Sequence, residues 1–218
     1  GVTLGDGKPG PITRRLRERQ VALRCHRRGI VAGAMNNADQ GASEMERKIG
    51  DKTIRLVRGD ITDMEVDAFV FDITADCRLG SGYGGAIAMR GGKVIQEQLD
   101  EVGELATGEA VMTTAGDMKA GHIIHTNGPK YHEIDTEEKL RRATHAALKL
   151  ADDGGLERVA LPPLGTGLYQ VPLDVCAKVM VDTVSEHLNN GSNLKEVLFV
   201  ALDSREQGPL EAKIGGKG

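Results

Sequence analysis

Between Thr53 and Leu202 the apolar positions follow two rhythms, one of period two and one close to period 3.6. "TIRLVRG" (53–59) alternates and is β-branched, and "VDAFVFDI" (66–73) is a short apolar run. "AVMTTAG" (110–116) and "HIIHTNG" (122–128) are two further strand-like runs joined by "DMKAG", and "ERVALPPL" (157–164) and "KEVLFVAL" (195–202) complete the set. Helical spacing lies between them. "GKVIQEQLDEVG" (92–103) repeats Val94, Ile95, Leu99 and Val102, and "DTEEKLRRATHAALKLADDGG" (135–155) runs from an acidic first turn to a glycine stop. "PLDVCAKVMVDTVSEHL" (172–188) opens on Pro172, whose missing N–H is no loss in a first turn. Strands alternating with helices predict an α/β fold with a mostly parallel sheet covered on both faces.

In such sheets ligands bind beyond the carboxyl ends of the strands, where loops feed into helices. Two loops there are rich in glycine: "LGSGYGGA" (79–86) and "LGTGLYQVP" (164–172). Glycine lets the backbone approach a ligand, and the N–H groups at a following helix start point toward an anion. Each loop read alone is also a tight turn. At equivalent positions, each with a tyrosine (Tyr83, Tyr169), the pair predicts a clasp for a diphosphate.

The kind of phosphate site is narrowed by missing motifs. The chain has no GxxxxGK[ST], and no GxGxxG follows its first strand with an acidic residue about 20 positions on, so nucleoside triphosphatase and dinucleotide dehydrogenase are set aside. Asp60, in "RGDITD", can accept from the exocyclic amine of a base or cap a short helix at "DITD".

Composition changes the picture little. The net charge is −4 and aromatic residues are scarce, with no Trp, so a stacking surface for nucleic acid is not expected. Three cysteines (Cys25, Cys77, Cys176) without a CxxC pair predict neither a disulfide framework nor a zinc site, and fit a reducing cytoplasm. No apolar run reaches membrane-helix length and no apolar signal core stands at the start, so no membrane partner is expected. Residues 1–44 carry the basic run "ITRRLRERQVALRCHRRG" and lack a clean period. They read as a basic, poorly ordered extension ahead of a domain at 45–218, or as sequence before a start at Met45, with a basic arm for an anionic partner as the alternative.

"RGDIT" (58–62), "VDAFV" (66–70), "GSGYGGAI" (80–87), "TGEAVMTTAG" (107–116), "HIIHTNGP" (122–129) and "VALPPLGTGLYQVP" (159–172) occur in the order and spacing of the macro domain family. The chain resembles that family from Thr53 to Leu202. The resemblance implies a three-layer α/β/α sandwich with a central mixed sheet, and a cleft for ADP-ribose: free, as a derivative, or attached to protein. It implies no cofactor and no metal. By position, Asp60 resembles the residue that meets the adenine amine, with the Ile61 amide beside it. Gly80, Ser81, Gly82, Tyr83, Gly84 and Gly85 resemble the first diphosphate and distal-ribose loop, and Gly165, Thr166, Gly167, Leu168 and Tyr169 the second.

The chain departs from the family's hydrolytic members. They usually carry two asparagines where this chain has Phe71-Asp72-Ile73-Thr74; the second holds the distal ribose, and Thr74 takes its place. Gly84 stands where many have Asp, Ala88 where they have His, and Leu202 where an aromatic stacks on adenine. The loop is similar to a bacterial, thermophile-type branch in which Ala or Gly replaces that Asp. Asp72 and Asp76 are the candidate general acids or bases, with a turn cap as the plainer role for Asp72. Cys77 has no paired histidine in the sequence pattern, and His122 and His125, three apart on a strand, face opposite ways and make no metal pair. The expected function is binding of ADP-ribose or ADP-ribosylated protein. The alternatives are hydrolysis of an ADP-ribosyl bond or of O-acetyl-ADP-ribose by a substrate-assisted route, and binding of RNA or poly(ADP-ribose) through the basic extension.

Overall fold

The computed structural model describes residues 45–167 and 169–216. The readings made of residues 1–44 and of Leu168 lie outside the described residues.

Seven strands form one sheet in the order β1-β2-β7-β6-β3-β5-β4. They are β1 (Met45–Ile49), β2 (Lys52–Arg58), β3 (Ala68–Asp72), β4 (Ala110–Thr114), β5 (His122–Thr126), β6 (Arg158–Leu161) and β7 (Glu196–Ala201). β2, β7, β6, β3 and β5 run parallel, while β1 and β4 pair antiparallel at the two edges. Among the described residues the α-helices are α1 (Tyr83–Gly91), α2 (Val94–Val102), α3 (Thr136–Asp153), α4 (Leu173–Asn189) and α5 (Ser204–Ile214).

Strand alternation sorts the core into two layers. Ala68, Val70, Ile124, Val159, Leu161, Val197 and Phe199 share one cluster with Leu140 and Leu148 of α3, Val179 and Val184 of α4, and Leu210 and Ile214 of α5. Their neighbours Phe69, Ile123, Leu198 and Val200 take the other face, and Ile87, Ile95 and Leu99 of α1 and α2 are buried as well. The chain is therefore a three-layer α/β/α sandwich around a mixed sheet.

Three elements escape the sequence pattern: α1 (Tyr83–Gly91), which begins inside the stretch that reads as a glycine loop, β1 and α5. β1 buries Ile49, packs part-buried Met45 against the core and exposes Glu46, Arg47 and Lys48, as an edge strand does. α5 contains Gly208 and Pro209, which read as breakers, and it buries only Leu210 and Ile214.

Candidate functional site at the carboxyl edge of the sheet

The five parallel strands all end on one edge, and the loops that follow them carry the chemistry. After β3 the chain passes through Ile73–Gly82 and enters α1, with Cys77, Gly80 and Gly82 at positive φ (55°, 62° and 62°). The Gln96 side chain, on α2, holds this passage. Its Nε2 donates to the Cys77 carbonyl at 3.1 Å and its Oε1 accepts from the Leu79 amide at 3.1 Å. Among the described residues no protein acceptor meets the amides of Gly80 through Gly85, which stand at and just before the start of α1. Such amides suit an anion.

Gly84 is required by close approach. A Cβ there would fall 1.4 Å from the Leu79 carbonyl oxygen and 2.4 Å from its carbon. The loop backbone fills the room a side chain would need, so only glycine fits here in this loop conformation.

The second loop follows β6. Gly165, at φ 73°, accepts from the Val171 amide at 2.9 Å, and the Gly167 carbonyl accepts from Gln170 at 3.2 Å. The Thr166 hydroxyl donates to the Pro163 carbonyl at 2.9 Å. Tyr169 is part-buried, with its carbonyl on the Tyr131 amide at 2.9 Å and Lys130 Nζ 5.9 Å from its ring centre.

Asp72 joins the two sides of the site. It ends β3, which lies between β6 and β5. Its Oδ1 accepts from the Gly128 amide after β5 at 2.9 Å, and its Oδ2 from the Gly165 amide after β6 at 2.8 Å. The expected cap is present, yet it closes the neighbouring strands' loops rather than its own turn. Burial pushes the carboxyl up to about 6 against the two amides that favour its charge.

Asp76 is exposed and takes the Thr74 hydroxyl, which, against slight desolvation, holds its carboxyl below the usual range. Both oxygens of Asp72 thus accept from backbone amides, whereas Asp76 stands in an exposed setting. Cys77 is buried, and burial followed by the charges of Asp76 and Glu104 pushes its thiol up, away from thiolate chemistry. His125 is fully buried on β5 with Nε2 on the Thr113 hydroxyl at 2.9 Å and no partner for Nδ1, and burial pushes its pKa down to about 3. Among the described residues no group of three His, Cys, Asp or Glu is placed to hold a metal ion.

At the far side of the edge Asp60 follows β2 and caps the 3-10 turn Ile61–Asp63, so its capping role is present, and one face of its carboxylate remains part-exposed. Leu202, just after β7, is 50% exposed, and its amide donates to Glu206 at 2.7 Å. Sequence reasoning missed Gln96 and Arg90, whose partners Cys77 and Leu79, and Asp60 and Thr62, lie on other elements.

A groove of about 780 Å³ lies elsewhere, between α3 and the end of α4, lined by Arg142, His145, Lys149, Asp152, Glu186 and His187. Its charges largely pair with one another, Lys149 with Asp153 and His187 with Asp152.

The sequence profile described as Macro domain matches residues 73–180, from the end of β3 into α4. A macro domain-containing protein of Caldanaerobacter subterraneus subsp. tengcongensis is 38% identical over 159 residues, covering 70% of this chain and 90% of that protein. The chain belongs to the macro domain family. A macro domain-containing protein of Streptomyces coelicolor is 36% identical over 169 residues, covering 74% of this chain and 98% of the relative. The macrodomain of Oceanobacillus iheyensis, solved with ADP, superposes with a TM-score of 0.76 at 26% identity, covering 80% of this chain and 96% of that one. A mutant of it has been solved with ADPR at the same TM-score and identity. Both macro domain structures thus hold ligands with a diphosphate. Among the described residues, no helix of this macro domain is long and apolar enough to cross a membrane.

Proposed function

We propose that the carboxyl edge of the sheet binds ADP-ribose, free, as a derivative or on an ADP-ribosylated protein, and that the domain is a binding module. The observation that carries this reading is the pairing of two glycine loops, after β3 and after β6, tied together through Asp72. The open amides of Gly80–Gly85 suit one face of a diphosphate, and the loop of Gly165, Thr166, Gly167, Leu168 and Tyr169 is to serve the other, with the Gly165 amide itself held by Asp72. Asp60 and Ile61 serve the base, and Thr74 and Tyr83 the riboses. The ADP and ADPR of the Oceanobacillus macrodomain support the same ligand class. Phe71, Thr74 and Gly84 in place of the asparagines and aspartate of hydrolytic members favour binding over turnover. Unpaired, buried Cys77 and Cys176 suit a reducing, cytoplasmic setting.

Calorimetry with ADP-ribose is expected to give one site with a dissociation constant on the order of micromolar, or about −8 kcal/mol. Incubation with mono-ADP-ribosylated protein and with O-acetyl-ADP-ribose is expected to release no product above the uncatalysed rate. No heat at millimolar ligand overturns the binding reading. Sustained release that disappears in Asp72→Ala overturns the restriction to binding.

A further inference from the structure

The base end of the edge holds a side-chain ring that the glycine loops do not account for. Arg90, in the last turn of α1, donates through Nη1 to Asp60 Oδ2 at 3.0 Å and also to the Thr62 hydroxyl. Asp60 Oδ1 accepts from the Thr62 amide at 3.0 Å and from its hydroxyl at 2.7 Å. Thr62 is buried, so this ring is fixed from below. An ionised carboxylate offers about four acceptor positions. Thr62 takes two on Oδ1 and Arg90 takes one on Oδ2, which leaves one position on Oδ2. The pair is partly open, with Arg90 42% and Asp60 37% exposed.

The surroundings suit a purine. Tyr83, on the same helix as Arg90, is part-exposed, and burial and then the charges of Asp60 and Glu206 push its hydroxyl up. Glu206 also accepts from the amide of half-exposed Leu202. Burial works against the Asp60 charge, but the Thr62 hydroxyl and amide and the Arg90 guanidinium together hold the carboxyl below its ordinary range.

We infer that Arg90 is a positioning residue for base selection: it fixes the plane of the Asp60 carboxylate so that its one open acceptor meets an exocyclic amine. The cleft then selects 6-aminopurine over 6-oxopurine nucleoside diphosphate sugars. The inference rests on the ADP-ribose reading of the site. Thr62 alone anchors a single oxygen and leaves the other free to swing, whereas Arg90 pins the second. An aminopurine brings a donor to the open position, and a 6-oxo group brings a lone pair that the carboxylate repels. Because Arg90 and the first glycine loop share α1, the residue that positions the Asp60 carboxylate and the phosphate cradle sit on one element.

The test titrates wild type, Arg90→Met and Arg90→Lys with ADP-ribose and with inosine diphosphate ribose. Met keeps an unbranched stem of similar bulk and removes the charge and the donors. The wild type is expected to prefer ADP-ribose by about tenfold or more, and Arg90→Met to narrow the preference to within about threefold. Arg90→Lys is expected to restore part of it, since an ammonium can still donate to Oδ2. A merely structural Arg90 would weaken both ligands by one factor and leave their ratio unchanged, and that result overturns the inference alone. A wild type that binds neither ligand overturns the ADP-ribose reading and the inference with it.

Discussion

Replacing Gly84 by Asp is expected to abolish useful ADP-ribose binding, with a loss of about a hundredfold or ~3 kcal/mol, and to install no hydrolysis. The reason lies in the Cβ, not in the carboxylate. Any side chain at this position meets the Leu79 carbonyl oxygen at 1.4 Å, so the loop from Cys77 to Gly82 must move away from Gln96. Overpacking of this kind costs roughly 1–3 kcal/mol in stability as well. Gly84→Ala is therefore expected to match Gly84→Asp in both binding and thermal midpoint. Gly85→Ala, whose Cβ would lie 3.6 Å from the Gly80 carbonyl oxygen, is the control for the thermal midpoint, which it is expected to leave unchanged. A Gly84→Ala protein that binds ADP-ribose like the wild type would falsify this account of the loop.

The second large effect concerns Asp72 and pH. Its folded pKa is raised to about 6 from an ordinary 3.8, with desolvation as the main cause. The folded state therefore holds this proton over a pH range in which the unfolded state has released it. Stability from this group is fully present below the ordinary value and is lost as pH rises through about 6. From about pH 4 to about pH 7 the loss amounts to about 2–3 kcal/mol. Asp72→Asn cannot ionise, so urea unfolding of wild type and variant across that interval should show the wild type losing ground by this amount. Parallel curves would contradict the burial assigned to Asp72. Binding of a diphosphate close to the Gly165 loop adds negative charge near the carboxylate, so wild-type affinity is expected to rise as pH falls toward 6, and the Asp72→Asn affinity to stay flat.

Much of this architecture is legible in the chain. β-branched alternation at 53–59 and apolar runs such as 195–202 mark parallel strands, and the glycine loops at 79–86 and 164–172 stand out because each follows a strand. The parts that are not legible have physical causes. β1 is an edge strand whose Glu46, Arg47 and Lys48 face solvent, so its composition resembles a loop. α5 folds through Gly208 and Pro209 because Asp203 caps its first turn and Leu210 and Ile214 dock on the core. Asp72 reads as a local turn cap because its partners lie 56 and 93 residues away, brought to it only by strand order. Arg90 reaches Asp60 across 30 residues in the same way, and Gln96 reaches Cys77 and Leu79 from a separate helix. Local pattern specifies elements and glycine loops; the side chains that fix those loops are chosen by tertiary proximity.

The most direct measurement is an amide-resolved NMR titration of the isotope-labelled protein with ADP-ribose. The account predicts that the amides of Gly80–Gly85 after β3 and of Thr166 and Gly167 after β6 shift together along one saturable curve, with the α3–α4 groove around His145 and His187 unmoved. Shifts confined to that groove, or to one glycine loop without the other, would contradict a diphosphate clasp.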